Sequence, residues 1–282
     1  MATTRSQPHC AEFKKNMPVG LVPARTSCKA VLLSLLWLAL ALAEDVAAPH
    51  QQPNVLLIVI DDTGFADISY NNRTAPGGPG RVHTPHIDAL ADSGVKLSNH
   101  YVQPICTPTR AALMTGRYPF RYGVTGFTID ATAPWGIPVN ETFLPQFLQD
   151  AHYDTAMFGK WHLGFFKDAY LPMARGFDEQ SGIYNALADH YTHYCGPGYD
   201  WHTNQSTNLT VLGTYSGELV RDDAVAYLRT RALQPTRPFF LYVPFQEAHS
   251  PFEAPDEYKA LYPELAWNSD LQNLAGTVRR VT

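Results

Sequence analysis

The sequence predicts an α/β sandwich, in which helices cover a central β-sheet. Apolar segments rich in β-branched residues alternate along the chain with segments whose apolar residues recur at helical spacing. Polar motifs follow the apolar segments, at the strand ends where sites lie in open α/β sheets. With 282 residues, the chain is long enough for one large domain with a substantial core.

Three segments are predicted strands. Residues 54–61 contain a continuous apolar run and end at the first of two adjacent acids, which predicts a fully buried strand. Residues 154–158 form a second strand, which leads into a Gly-Lys-Trp-His motif at residues 159–162. Residues 239–243 form a third buried strand that ends towards His249.

Four segments are predicted helices. Residues 84–94 carry an N-cap threonine, a first-turn proline and a terminal glycine, and a second helix begins near Pro108. Residues 142–151 and 216–231 are amphipathic. Their inward faces comprise Phe143, Leu144, Phe147 and Leu148 in the first, and Leu219, Val220, Val225, Tyr227 and Leu228 in the second. Residues 164–215, rich in Tyr, His, Gly and Asn, are predicted to form long loops around the site.

The N-terminal segment, residues 1–43, is predicted to be a signal peptide. An apolar run at residues 30–43 follows several basic residues and ends in Ala-Leu-Ala, a small-x-small cleavage pattern, so the mature chain would start near Glu44. Met17 is an alternative start within this long leader. A signal anchor is the alternative interpretation, for which the apolar run is short.

The mature chain is predicted to be acidic. Removal of residues 1–43 takes away five basic residues and one acid, so the formal net charge falls from −5 to −9. Nucleic-acid binding requires a basic surface, so nucleic acid is excluded as a partner. Recognition of an anionic substrate must therefore come from a local cluster of basic residues.

The mature chain would keep two cysteines, Cys106 and Cys195. In an oxidising compartment a disulfide between them is one expectation, and a buried free thiol is another. Four N-glycosylation sequons agree with secretion. They lie at Asn72, Asn140, Asn204 and Asn208.

Adjacent carboxylates follow the first predicted strand, at Asp61 and Asp62. Two acids at a strand end need a cation to offset their repulsion, and oxygen ligands suit Ca²⁺ or Mg²⁺. A turn or a helix N-cap also favours aspartate. The residues alone leave the two interpretations open.

A lysine and a histidine follow the second predicted strand, at Lys160 and His162. On an extended segment, side chains two residues apart face the same side, so the two would converge on one ligand. Lysine would supply a positive point charge, and histidine ordinarily titrates near the working pH of an enzyme. An exposed surface pair is the alternative.

The most informative segment is Cys-Thr-Pro-Thr-Arg at residues 106–110, which continues as Ala-Ala-Leu-Met-Thr-Gly-Arg. Pro108 suits the first helical turn, and Arg110 lies one turn from Cys106. With the motifs Gly-Lys-Trp-His-Leu-Gly, Gly-Phe-Asp and Pro-Asp-Glu-Tyr further along the chain, this segment resembles the sulfatase family, and in particular the arylsulfatase B (N-acetylgalactosamine-4-sulfatase) type. The resemblance runs from about residue 54 to the end.

The resemblance implies a fold and an activity. The fold would be a large mixed sheet sandwiched between helices, similar to alkaline phosphatase, with residues 44–282 as the N-terminal catalytic domain. The activity would be hydrolysis of sulfate esters of sugars or aryl alcohols. Cys106 would be oxidised to formylglycine by a formylglycine-generating enzyme. The hydrated aldehyde then offers one hydroxyl to attack sulfur and another to release sulfate.

The resemblance also implies roles for individual residues. The ligands of a Ca²⁺ ion would include Asp61, Asp62 and the modified Cys106. Lys160 would hold a sulfate oxygen, His162 would orient or deprotonate the hydrate, and His249 would be the general acid for the leaving oxygen. The rigid guanidinium of Arg110 can hold the hydrate oxygen and the adjacent carboxylates.

The departure from the family pattern is at the C-terminus. The family's Asp-Asn metal-ligand pair, a further substrate lysine and the smaller C-terminal subdomain have no counterpart before Thr282, so we expect little or no sulfatase activity. One alternative is a truncated, inactive sulfatase-like protein that only binds sulfated glycans. Another is a phosphatase or phosphodiesterase of the same superfamily, which the cysteine at position 106 disfavours.

We expect the protein to enter the secretory pathway and to be lysosomal or extracellular, without stable membrane insertion.

Overall fold

A six-stranded mixed sheet forms the centre of the protein. The computed structural model describes residues 52–72, 82–234 and 236–281. The longer strands are β1 (Val55–Val59), β2 (Asp154–Phe158), β3 (Glu179–Gly182) and β8 (Phe239–Pro244). The shorter strands are β4 (Tyr194–Cys195), β5 (Gly198–Tyr199), β6 (His202–Thr203) and β7 (Ser206–Thr207). The central sheet has the order β1-β8-β2-β3-β6-β7, and β4 pairs with β5 in a separate hairpin.

The strand directions bring the predicted site residues to one edge of the sheet. Strands β1, β8, β2 and β3 are parallel, with Val55 opposite Phe240 and Asp154 opposite Phe239. Strands β6 and β7 are antiparallel to their neighbours. Because parallel strands end on the same side, the segments after β1, β2 and β8 meet there.

The helices are short except for two. They are α1 (Ser69–Asn72), α2 (Pro85–Ser93), α3 (Cys106–Thr115), α4 (Leu144–Asp150), α5 (Ser216–Ala232), α6 (Asp256–Lys259) and α7 (Ser269–Arg280). Single 3₁₀ turns lie at Phe65–Asp67, Pro119–Tyr122, Asp168–Tyr170, Met173–Arg175, Leu209–Val211 and Pro263–Leu265.

Helices cover both faces of the sheet, which confirms the predicted sandwich. Alternate residues of a strand point to opposite faces. Met157 and Tyr242 therefore share a core with α3 and α4, whereas Ala156 and Leu241 share a core with Val220 and its neighbours in α5. Strand β8 lies between β1 and β2 and is buried on both faces, as its apolar sequence predicts.

The prediction that the first strand is fully buried is wrong. Leu56 and Ile58 of β1 are 48% and 47% exposed, whereas Val55, Leu57 and Val59 pack on the core. These two side chains are exposed because β1 is the edge strand of the sheet and α5 packs over β2, β3 and β8 instead. A continuous apolar run shows hydrophobicity but not which faces have partners.

The region predicted as loops, residues 164–215, contains strands β3 to β7. These strands are two to four residues long, too short to show a period of two.

The sequence analysis did not predict helix α7. Phe147 and Val225, predicted to face inward, are exposed at 57% and 37%. The bounds of β2 agree with the prediction, and those of α2 and α5 agree within one residue.

The predicted signal peptide, residues 1–43, lies outside the described residues. Within the described part of the chain, no helix is long and apolar enough to cross a membrane.

Candidate active site

The candidate nucleophile, Cys106, is the first residue of α3. Ile105 before it is extended, and Gly116 ends the helix in a left-handed conformation (φ 66°), with its N–H donating to the Ala112 carbonyl at 2.9 Å. Pro108 falls in the first turn, where its missing N–H costs nothing. The helix begins two residues before the predicted position. Cys106 is half-buried, and a helix N-terminus presents unpaired N–H groups that favour an anion.

Asp61 is the electrostatic centre of the site. Its buried carboxylate accepts a short hydrogen bond from Lys160 Nζ, and Arg110 Nη2 lies 3.2 Å from Oδ1. Burial raises the pKa of Asp61, but Arg110 and Lys160 outweigh that effect and hold the pKa below its ordinary value of 3.8. The carboxyl group is therefore ionised at neutral pH.

Arg110 connects α3 to the segment after β2 and to strand β8. Its Nη1 donates to the Lys160 carbonyl at 2.9 Å and to Tyr242 Oη at 3.4 Å. Burial lowers the pKa of Arg110, but Tyr242 and Asp61 raise it above its ordinary value. Sequence reasoning did not identify Tyr242, because a tyrosine within an apolar strand has the same pattern as any core aromatic residue.

Lys160 is fully buried and faces Asp61, and a glycine makes this placement possible. Gly159 has φ 130°, and a Cβ there would lie 2.0 Å from the Pro244 carbonyl oxygen. Lys160 N donates to that same oxygen at 2.7 Å. Burial lowers the pKa of Lys160, Arg110 lowers it further, and Asp61 opposes both. The segment lies beyond β2, and His162 has φ 56°, so the segment is not a regular strand. That Lys160 and His162 converge on one ligand stays a prediction.

His162 is a buried, neutral imidazole. Its Nε2 donates to the Ile129 carbonyl at 2.9 Å, so Nδ1 carries a free lone pair, and no partner for Nδ1 exists among the described residues. Burial, with Lys160 adding to it, lowers the pKa of His162 to about 3. The expectation that this histidine titrates near neutral pH is therefore wrong. Its Nδ1 remains able to accept a hydrogen bond.

Thr107 ties these segments together. Its hydroxyl donates to the His162 carbonyl at 3.2 Å and accepts from Ile129 N–H at 3.2 Å. Neither Thr107 nor Ile129 was a candidate from sequence, since neither side chain has distinctive chemistry. Their contacts fix His162 against the first turn of α3.

Asp62 and His249 form the outer part of the site. Asp62 has φ 50°, and its side chain is 56% exposed. His249 Nε2 lies 3.5 Å from Asp62 Oδ2, and His249 Nδ1 lies 2.6 Å from the Ser250 carbonyl. A carbonyl only accepts, so Nδ1 carries a hydrogen. His249 also lowers the pKa of Asp61, which places it near the buried centre.

The two described cysteines are free, so the alternative disulfide between Cys106 and Cys195 is absent. Cys106 instead interacts electrostatically with Arg110 and Lys160. The structure thus brings together Asp61, Arg110, Lys160 and the nucleophile helix, with Asp62 and His249 beside them.

The donors fit a Ca²⁺ ion in kind but not in number. Ca²⁺ takes about 6–8 oxygen ligands. Within the described ranges, no group of three or more His, Cys, Asp or Glu side chains is arranged to hold a metal ion. Asp61 is moreover engaged with Arg110 and Lys160. The described residues therefore do not make a complete calcium site.

We expect this chain to bind Ca²⁺ weakly, with a dissociation constant above about 1 mM, beyond the range of extracellular calcium modules. Isothermal titration calorimetry of the apo protein measures it, with Asp62→Asn as the variant that removes the exposed carboxylate. An affinity equal to that of a full-length relative would show that the two aspartates suffice.

Comparison with known proteins shows the family of this chain. A family model described as Sulfatase matches residues 53–281. Mouse arylsulfatase J is 40% identical over 75% of this chain and 35% of its own length. An arylsulfatase of Hemicentrotus pulcherrimus is 30% identical over 93% of this chain and 50% of its own length.

A solved structure is also similar. The crystal structure of Ps i-CgsB in complex with k-i-k-neocarrahexaose superimposes with a TM-score of 0.73 at 31% identity, over 82% of this chain and 52% of that one. The chain thus spans between about a third and a half of the length of the proteins it matches. Because the family model covers most of its residues, this chain belongs to the sulfatase family.

Proposed function

We propose that this chain carries the nucleophile and sulfate-binding side chains of an arylsulfatase-type sulfuric ester hydrolase. The observation that carries the proposal is the position of Cys106 at the start of α3, beside the buried cations Arg110 and Lys160. Two cations and a helix N-terminus form an environment that favours a sulfate group. The two relatives above are named as arylsulfatases.

Cys106, converted to formylglycine by a formylglycine-generating enzyme, would supply an aldehyde hydrate as the nucleophile. Its half-buried place at a helix N-terminus fits a small polar group. Arg110 would stabilise negative charge on the hydrate and the sulfate, and Asp61 holds Arg110 and Lys160 in place through its ion pairs with them. His162 would orient the hydrate by accepting a hydrogen bond at Nδ1, the atom with a free lone pair.

The outer residues would act on the leaving group. His249 is only partly buried, and its Nε2 lies 3.5 Å from Asp62 Oδ2. His249 would be the general acid for the leaving oxygen. Asp61 and Asp62 would supply two of the oxygens of a Ca²⁺ ion, although the described residues do not complete its site.

The substrate would be a sulfated glycan or an aryl sulfate. Ps i-CgsB was crystallised with a neocarrahexaose, which supports a sugar. The predicted signal peptide at residues 1–43, ahead of the catalytic domain at residues 44–282, would direct the protein to the secretory pathway, either lysosomal or extracellular.

A second candidate is a sulfatase-like protein that binds sulfated glycans without hydrolysing them. Two observations favour it: Lys160 is fully buried against Asp61, and the described residues do not complete a metal site. A phosphatase or phosphodiesterase is disfavoured because a cysteine stands at the nucleophile position.

Paired assays with an aryl sulfate and the matching aryl phosphate test the proposal. The protein is produced with a formylglycine-generating enzyme, and Cys106→Ala is the control. We expect measurable sulfate hydrolysis that the control lacks, because only formylglycine supplies the hydrate nucleophile. Faster phosphate hydrolysis would favour the phosphatase alternative, and glycan binding without turnover would favour the second candidate.

A further inference from the structure

Glu247 is a buried acid that the proposed chemistry does not use. It follows β8 and is fully buried. Neither carboxylate oxygen has a hydrogen-bond partner among the described residues. An isolated buried carboxylate is strongly unfavourable, so its surroundings must offset the charge.

The N-terminus of α5 is the first feature that offsets the charge of Glu247. A Cβ on Gly217, the second residue of that helix, would lie 1.8 Å from Glu247 Oε1. The carboxylate therefore lies against the first helical turn, which carries the positive end of the helix dipole. Glycine at position 217 leaves the space that the acid occupies.

Arg280, near the end of α7, is the second feature that offsets the charge of Glu247. Its Nη1 lies 3.9 Å from Glu247 Oε1, and its side chain is buried. The guanidinium also lies over the Tyr215 ring, 4.9 Å from the ring centroid. Tyr215 stacks on buried His190, whose Nδ1 lies 2.6 Å from Ser216 Oγ. Helices α5 and α7 thus enclose one negative charge at the end of β8.

The backbone of Glu247 holds the centre of the candidate site. Asp61 N–H donates to the Glu247 carbonyl at 2.7 Å, and Ala248 N–H donates to the Asp61 carbonyl at 2.7 Å. Both backbone groups of Asp61 are therefore bonded to the peptide unit that carries the buried acid. A shift of Glu247 moves the backbone on which the Asp61 carboxylate is mounted.

We propose that Glu247, held by Arg280 and the N-terminus of α5, is a positioning residue for Asp61. The charged side chain anchors the Glu247–Ala248 peptide, and that peptide sets where the Asp61 carboxylate meets Arg110 and Lys160. The consequence for turnover rests on the proposed function, whereas the consequence for the Asp61 backbone does not.

Native-state amide hydrogen exchange, measured by NMR on the whole chain, tests the proposal without requiring turnover. Glu247→Gln keeps the shape of the side chain and removes its charge. We expect exchange at the Asp61 and Ala248 amides to become about tenfold faster, the size of effect that weakening a hydrogen bond has. Exchange at Tyr242, in the middle of β8, should be unchanged. A general loss of stability would instead accelerate exchange at all three amides.

A matched control variant shows whether the change in amide exchange is specific to Glu247 or follows the removal of any buried acid. Glu141 is also buried and pairs with an arginine, Arg117, at 2.6 Å, away from Asp61. Glu141→Gln should leave the Asp61 and Ala248 amides unchanged. If Glu247→Gln does not fold, Arg280→Gln should produce the same local change, and Arg280→Lys should partly restore protection. Unchanged exchange at Asp61 and Ala248 would overturn the proposal, and so would equal acceleration at Tyr242.

Discussion

Replacement of Asp61 by asparagine is expected to lower the free energy of unfolding by about 3–5 kcal/mol, the cost of removing one partner from a buried ion pair. The reason is that Arg110 and Lys160 are both buried beside this carboxylate and would be left as two cations without a counter-charge. Urea denaturation at neutral pH measures the change. It is large compared with a typical total stability of 5–15 kcal/mol.

Asp62→Asn is the matched control, since it changes the same residue type one position along the chain. Asp62 is exposed, so its replacement should alter stability by no more than about 0.5 kcal/mol. Equal losses from the two variants would contradict the central place given to Asp61.

The difference between wild type and Asp61→Asn should depend on pH. The pKa of Asp61 in the folded state lies below its ordinary value of 3.8, so the charged form is favoured by folding. Its contribution is therefore present above about pH 4 and is lost as the pH falls through the folded-state pKa. Denaturation curves of the two proteins should converge in strong acid.

This chain is expected to hydrolyse an aryl sulfate on the order of 10²–10³-fold more slowly than the Hemicentrotus pulcherrimus arylsulfatase, the size of effect that one preorganised charge-stabilising group has on the rate. Sulfuryl transfer requires fixed positive charge around the transferring group. The described residues do not complete a metal site, and Lys160 is engaged with Asp61.

Initial rates, normalised to the formylglycine content of each protein, measure this difference. Normalisation removes unequal conversion of the cysteine as an explanation. Comparable turnover by the two proteins would show that the described residues suffice for catalysis.

The positions of the site residues follow from the sequence where local signals determine them. Strands β2 and β8 are short apolar segments with clear ends, so residues 159–162 and His249 could be placed at one edge of the sheet. The proline and arginine after Cys106 predicted a helix start within two residues. These features depend on residues close together in the chain.

Features that depend on distant partners could not be predicted. The exposed face of β1 results from where α5 packs, and the conformation around Lys160 results from contact between Gly159 and Pro244. The low pKa of His162 results from burial, which its flanking residues do not reveal. Glu247 and Tyr242 have ordinary sequence contexts, and their roles follow only from their neighbours in three dimensions.

The most direct measurement concerns the side chain at position 106. Protein secreted from cells that contain a formylglycine-generating enzyme is digested, and the peptide carrying residue 106 is examined by mass spectrometry with a hydrazide probe for aldehydes. We predict formylglycine at this position, captured by the probe, and no capture in Cys106→Ala. Only unmodified cysteine at position 106, or a disulfide between Cys106 and Cys195, would contradict the proposed chemistry.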